Sequence, residues 1–439
     1  MAVSATALTD ALAGIVGSDR LSTDPVSVER HAVDGVRPCW IALPTSIEEL
    51  TRLLCLASEE HLAVVPYGTG ARIGVGNLPA RADLVIGMSR LSGLVEYQPD
   101  DLTVTVEAGI TLQALAARLA PRRQFLPLDP LVGALRSVGG VVAVNDSGPL
   151  RVRYGTARDF LLGVRFVQAD GTLTWGGAKV VKSVTGYDIP KLLVGSLGTL
   201  GILAELTLRL QPMPEAEGHW LFSFPSGERA GAFLASVLGS SVQPTRLELL
   251  NREALSGLGF PRAPAALAVT VGSAIEAVRS QRETLFAFAA RNGGEGVVVS
   301  EGDLWQRVRQ LLDANDGVLL KVVTLPALSA ERLSAIEELA DARKVSACVV
   351  AEAGNGVLRS RLGGNLSGEE WEREVIVPLR ERVAAEGGSV VVEAAPRALK
   401  ERLDVWGPID PSVLAIMRRL KAEFDPRGIL NPGRFIDRI

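Results

Sequence analysis

The stretch "PYGTGARIG", residues 66–74, follows the apolar run "LAVV" and sets three glycines and a threonine among nine positions. Backbone without side chains lets amide groups approach an anion or a flat ring closely. Gly139, Gly140, Gly148, Gly155, Gly195, Gly198 and Gly201 add further bare backbone at strand ends in the first half of the chain. Singly, each is explained by a tight turn; together they outline a binding surface. A Walker loop would need Lys followed by Ser or Thr after its last glycine, and a dinucleotide loop of the Rossmann kind would need GxGxxG opening a helix after the first strand of a βαβ unit. Neither occurs here. What remains is a pyrophosphate held by amides of two or more loops, with an extended dinucleotide lying along the domain, and this points to a flavin.

The elements that must position these loops are legible in outline. "TSIEELTRLLCLASEEH" carries Leu50, Leu53, Leu54 and Leu56 at helical spacing behind a cap at Thr45 or Ser46. "LAVVP", "ADLVIGM" and "LTVTVEAG" read as strands, followed by the helix "LQALAARLA". "LLGVRFVQADGTLTWGG" is expected to be a hairpin around Asp170 and Gly171, and "ILAELTLRLQP" a strand stopped by Pro212. The unpatterned "PMPEAEG" at 212–218 is expected to be a linker. Beyond it, strands "ALAVTVG", "GVLLKVVTL" and "SACVVAEAG" alternate with helices "AIEAVRSQRETLFAFAARN" and "SAERLSAIEELADAR", which suggests a separate α+β domain. A last helix, "PSVLAIMRRLKAEF", ends near Asp425 and Pro426, with a short extended tail after it. There is no solenoid repeat and no low-complexity tract.

Composition bounds the function. A chain of 439 residues, 47% of them hydrophobic, is too long for one small core, so at least two domains are expected. A net charge of −4 with mixed signs along the chain argues against nucleic acid as the partner. Cys39, Cys55 and Cys348 are far apart and show no CxxC spacing, which fits a reducing compartment. "MAVSATALTDALAGIVGS" has no basic n-region, and no window reaches the roughly 18 apolar residues of a membrane span, so a cytoplasmic location is expected.

The ordered set "PTSIEELTRLLCLASEE", "VVPYGTGARIG", "DLVIGMSRLSGLVEYQPDDLTVTVEAGITLQAL", "LPLDP", "SVGGVVAVNDSGPLRVRYGTARDFLLGVRFVQADG", "KSVTGYDIPKLLVGSLGTLGILAELTLRLQPMP" and "FDPRGILNPGRF" covers roughly half of the chain and resembles the vanillyl-alcohol-oxidase, or PCMH-type, family of FAD-binding proteins. The resemblance implies an α+β fold: a PCMH-type FAD-binding domain of two sub-sheets at 1–213, an α+β cap or substrate domain at 214–400, and a C-terminal helix and tail at 401–439 that return to the FAD domain. It places the pyrophosphate at Pro66, Tyr67, Gly68, Thr69, Gly70, Ala71, Arg72, Ile73 and Gly74. Ser137, Gly139, Gly140, Ser147, Gly148, Tyr154, Gly155, Gly198, Gly201 and Ile202 would line the rest of the cofactor, with Asp129 and Pro130 near the entrance and Asn431 contributed by the tail. From the residues alone, Asp129 reads equally as a helix cap or turn former, and Asn431 before Pro432 as a turn residue. Relatives with a histidine-linked flavin carry RSGGH in the glycine loop; Ala71 stands there, so the FAD is expected to be noncovalent. His31, His61 and His219 match no attachment position. Lys179, Lys182 and Lys191 are alternatives for the cation beside reduced flavin.

Members of this family that oxidise 2-hydroxy acids such as D-lactate or glycolate carry a stretch like HxGDGNxH and a later GEHG, whose histidines hold a metal. The corresponding stretches here are "AEAGNGVLR" and "VVEAAPR", with Glu352, Arg359 and Ala394 at the histidine places. An oxygen-only set of Glu352, Asn355 and Glu393 lacks the nitrogen donors that favour a transition metal, so none is expected. Arg359 and Arg397 are alternatives for holding a substrate carboxylate, or surface residues. The pattern "EAAPRALKERLDVWGP" ahead of the last helix is most similar to the FAD-binding E subunits of bacterial glycolate oxidase. That resemblance implies an electron-transferring flavoprotein with a sister FAD subunit and an iron–sulfur subunit as partners, which would bring it to the inner face of the membrane. The alternative is a standalone FAD-dependent 2-hydroxy acid dehydrogenase or oxidase.

Overall fold

The structure is a computed structural model and describes residues 4–131, 135–178, 186–300, 304–313 and 317–439. The first sheet joins β1 (Leu21–Ser22), β2 (Trp40–Ala42), β3 (Val64–Tyr67) and β4 (Leu84–Gly87) in the order β1-β2-β4-β3. β4 runs parallel to both β2 and β3. Helix Ile47–Glu59 makes the crossover between β2 and β3. It begins at Ser46, whose hydroxyl accepts from the Glu49 amide, and buries Leu50, Leu53, Leu54 and Ala57 against the sheet.

The second sheet is antiparallel and contains β5 (Leu94–Gln98), β6 (Thr103–Glu107), β8 (Leu161–Val167), β9 (Leu173–Gly177) and β10 (Ile202–Arg209), in the order β5-β6-β10-β8-β9. The expected hairpin is β8 and β9: Gly171 takes φ +86°, and the Asp170 carboxylate accepts from the Thr172 amide at 2.8 Å. β10 ends at Arg209 rather than at Pro212. Pro212 belongs to a two-residue strand, β11 (Gln211–Pro212), paired with β7 (Gln124–Phe125) at an edge, where a missing amide is tolerated. Nor is the end of "PMPEAEG" free: β12 (Ala216–Phe224) already begins there. Its nine residues pair throughout with β14 (Ala265–Ser273), and that long ladder outweighs the local turn chemistry.

The third sheet has eight antiparallel strands among the described residues. Besides β12 and β14 it contains β13 (Arg246–Asn251), β15 (Glu295–Val298), β16 (Val318–Val323), β17 (Ser346–Glu352), β18 (Val357–Gly363) and β19 (Ser389–Ala394), in the order β15-β12-β14-β13-β17-β18-β16-β19. One face is apolar and covered by helices that include Gly227–Leu238, Ile275–Arg291 and Ser329–Ala342. The other face carries charge. Directly opposed partners point the same way and alternate residues share a face. The pairs Glu248↔Glu352, Val350↔Arg359 and Arg359↔Lys321 therefore put Glu248, Glu352, Arg359 and Lys321 on one side.

Helix Pro411–Phe424 leads back to the first half of the chain. Lys421 at its end donates to the Thr199 and Leu430 carbonyls, each at 2.9 Å, and the tail then bridges β3 in parallel at Val64↔Leu430. No described helix is long and apolar enough to cross a membrane.

Candidate cofactor cleft and the charged cage behind it

At the C-terminal end of β3 the chain turns through the glycine loop, and the expected residues Pro66 to Ile73 all line one cleft of about 820 Å³, counting its open mouth. Ser137, Gly139 and Gly140 form a second wall, Gly198, Gly201 and Ile202 a third, and Asn431 arrives from the tail. The size is that of a cofactor site. Two glycines are fixed by geometry. A Cβ on Gly68 would stand 2.2 Å from the Ser137 hydroxyl, and Gly70 takes φ +76° with its Cβ direction blocked by the Tyr67 hydroxyl at 1.9 Å.

The cleft suits a dinucleotide. Among the described residues, the backbone amides of Gly68 to Arg72 donate to no protein acceptor, although the carbonyls of Gly70 and Arg72 accept turn bonds from Ile73 and Val75. Such a concavity of unpaired amides binds phosphate. Asn431 is held at φ +47° with its amide nitrogen on the Leu197 carbonyl at 2.7 Å, while its side-chain oxygen is buried without a partner. A ligand donor completes it.

The remaining expected residues lie elsewhere. Gly74 turns its carbonyl away from the cleft toward Lys400. Asp129 is a largely covered brace: it accepts from the Leu150 amide at 3.1 Å and from Arg246 at 3.4 Å, and a Cβ on Gly148 would meet its carbonyl oxygen. Burial pushes its carboxyl up, with Arg246 and Arg309 opposing. Pro130 follows it outside the cleft lining, Tyr154 packs edge-on to Phe125 at 5.6 Å, and Gly155 at φ +92° abuts Asp159. Ser147 gives its carbonyl to Arg359 at 3.2 Å. These residues are packed against other parts of the chain and are not among those lining the cleft. Lys191 pairs with Asp188 at 2.7 Å, and Lys179 and Lys182 lie outside the described residues.

Sequence reasoning missed Arg136 and Arg434, which also line the cleft, together with apolar residues such as Met88 and Ala108. Arg136 stood directly before the Ser137 turn and Arg434 within "NPGRF", so the adjacency was a usable signal. The apolar residues offered none.

Behind the cleft wall lies a cage of charge. Arg359, nearly inaccessible, donates Nη1 to Glu352 at 2.6 Å and to the Ser147 carbonyl at 3.2 Å. It also donates Nη2 to Asp146 and Nε to Glu393, each at 3.3 Å. A register shift on β16 leaves Glu393 as the bulged residue of β19, which aims its carboxylate inward. Arg72 of the glycine loop reaches the same Glu393 at 2.7 Å, and Arg136 pairs with Asp146. The cleft and the sheet face are thus joined through shared carboxylates. Burial works against the charge on Arg359, but Glu393, Glu352 and Asp146 more than compensate and hold it charged more firmly than a free arginine. Burial would likewise raise Glu393; Arg359, Arg72 and Lys321 overcome it and hold the carboxyl at about 2.

Glu248 lies beneath this cage, 1% exposed, with neither carboxyl oxygen given a partner. Burial, with Glu352 opposite, raises its pKa well above the ordinary 4.5. Burial also raises Glu352, but the charges of Arg359, Arg151 and Lys321 and the Arg359 hydrogen bond oppose it, so Glu248 is the one of the pair that holds its proton more tightly. An acid raised in the fold binds its proton more tightly than in the unfolded chain, so its contribution to stability is lost as pH rises from the unfolded pKa through the folded one. Glu248→Gln is expected to flatten that decline, measured by urea unfolding from pH 5 upward. An unchanged slope would contradict a protonated Glu248.

Residues 213–435 match the family described as "FAD linked oxidases, C-terminal domain", and residues 38–177 match "FAD binding domain". The chain belongs to the FAD-linked oxidases. This oxidase is an FAD-dependent oxidoreductase, and FAD is its cofactor. It is 27% identical to "Glycolate oxidase subunit GlcD" of Bacillus subtilis, over 90% of this chain and 88% of that one. It is 28% identical to "D-lactate dehydrogenase [cytochrome], mitochondrial" of Arabidopsis thaliana, over 91% of this chain and 73% of that one. Among solved structures it shares the fold of p-cresol methylhydroxylase with substrate bound, at TM-score 0.79 and 14% identity over 98% of this chain and 96% of the other. The PCMH-type α+β architecture expected from the motifs is therefore the one observed.

Proposed function

We propose that this FAD-linked oxidase is a flavin subunit of a 2-hydroxy acid dehydrogenase assembly of the glycolate-oxidase kind. In this reading it takes electrons derived from the hydroxy acid and passes them on, with a sister FAD subunit and an iron–sulfur subunit as partners. The carrying observation is Arg359: all three of its nitrogens are committed to Glu352, Glu393, Asp146 and Ser147, so no guanidinium fork is left to grip a substrate carboxylate. The same carboxylates are thereby occupied by a fixed cation, and among the described residues no set of three His, Cys, Asp or Glu side chains is arranged around a metal. Bound FAD supplies a two-electron acceptor, and the chain's own residues hold it. The B. subtilis relative, whose name calls it a glycolate oxidase subunit, supports the assembly, and D-lactate dehydrogenases among the relatives support the substrate class.

One observation favours a second reading, a standalone dehydrogenase. Lys321 shares the charged face and, among the described residues, its ammonium forms no ion pair or hydrogen bond. Burial lowers its pKa, as does Arg359, against the pull of Glu393 and Glu352. A small carboxylate would complete it.

Anaerobic titration of the purified chain with glycolate and D-lactate separates the two. An oxidised flavin spectrum that neither acid bleaches, but dithionite does, with FAD released on denaturation, is the expected result. Bleaching by either acid overturns the subunit reading. In that case Lys321→Met raises KM by roughly tenfold or more, the loss of one charge-assisted hydrogen bond; an unchanged KM removes Lys321 from the site.

A further inference from the structure

Two buried cations brought from distant parts of the chain hold the end of the glycine loop, Lys400 from outside the cleft lining and Arg434 from its wall. Lys400, on helix Arg397–Arg402 after β19, donates Nζ to the carbonyls of Gly74 and Gly76 and to Asp34 at 3.0 Å. Arg434, beyond the tail bridge, donates to the carbonyls of Ile73, Val75 and Asn77 and to Asp34 at 3.2 Å. They are 1% and 2% exposed. Five consecutive carbonyl oxygens, 73 to 77, thus converge on two cations. Carbonyl dipoles gathered in this way repel one another without a positive charge between them. With those carbonyls held by the cations, the preceding residues Gly68 to Arg72 line the cleft with amides that have no protein acceptor.

We propose that Lys400 and Arg434 are positioning residues that preform the phosphate-binding loop, so that FAD binding and the docking of the 397–405 and 429–435 segments are one coupled equilibrium. The proposal rests on FAD as the cofactor and is independent of the substrate. Coupling of this kind is reciprocal: what docking contributes to FAD affinity, FAD returns to docking.

The test is hydrogen exchange on the full chain with and without FAD, alongside fluorescence titration of the apoprotein. In the wild type, FAD is expected to slow exchange in 68–77 and also in 397–405. Lys400→Met is expected to weaken FAD by about tenfold or more, within the usual range of coupling. The variant's 397–405 segment should no longer respond to FAD, while β8, remote from the clamp, keeps wild-type protection. FAD affinity unchanged within about twofold overturns the proposal, against the fivefold minimum of typical coupling. So does protection lost equally in β8, which would mean general loosening. Should Lys400→Met fail to fold, Arg434→Lys decides by the same two readings, since it keeps the charge but offers a single nitrogen to four acceptors.

Discussion

Arg359→Leu is expected to lower the unfolding free energy by about 3–5 kcal/mol, the cost of removing one partner from a buried ionic cluster. The guanidinium is 4% exposed and its partners Asp146, Glu352 and Glu393 are 1%, 6% and 8% exposed, so solvent cannot replace it. Three carboxylates would then share Arg72, Arg136 and Lys321, and burial would favour protonating one of them. The pH dependence gives the mechanism. Glu393 is held at about 2 in the fold against an ordinary 4.5, so its contribution is present above the unfolded pKa and lost as pH falls from about 4.5 toward 2. In the variant that acid limb should move to higher pH. Urea unfolding at pH 7 and across the acid range measures both effects. A loss below about 1 kcal/mol, the worth of an exposed pair, would show the cage to be a minor contributor.

Gly70→Ala is expected to raise the FAD dissociation constant by roughly five- to hundredfold, the equivalent of about 1–3 kcal/mol of local strain. Gly70 sits at φ +76°, and the added methyl would stand 1.9 Å from the Tyr67 hydroxyl and 2.5 Å from its ring carbon. The ring cannot simply swing aside, because it packs against the tilted ring of His31 at a centroid distance of 4.6 Å. Relief must come from the loop itself, whose residues line the cleft. Fluorescence titration of the apoprotein reads the change. Gly14→Ala is the control, since nothing lies within 4 Å of that Cβ direction. Equal FAD binding by the two variants would mean that the loop is not the phosphate site.

Local chemistry explains which features were legible before the fold was known. The helix behind Ser46, the hairpin at Asp170 and Gly171, and the glycine loop are each decided by neighbours a few residues away, and all three stand where their patterns put them. Pro212 and the 212–218 stretch were misread because pairing with β7 and β14 settles them, and pairing partners are invisible to a local pattern. The cage was half visible. Glu352, Arg359 and Glu393 were singled out by position, but Asp146 and Arg72 join them across more than two hundred residues. Asp129 and Gly148, expected beside the cofactor, pack against each other, and such close packing selects the same residue types as a binding site does.

The parallel bridge from the tail to β3 also bears on how the molecule is made. Arg434 and Asn77, bonded through the Asn77 carbonyl, are 357 positions apart. Contacts at that separation are slow to form, because the loop-closure entropy must be met first. On the ribosome the amino-terminal lobe emerges long before its last strand partner exists, and β3 waits with an open edge through the synthesis of the whole eight-stranded sheet. The wall of the cofactor cleft that Asn431 and Arg434 supply is therefore the last part of it to be synthesised, and the edge of β3 is uncovered until then.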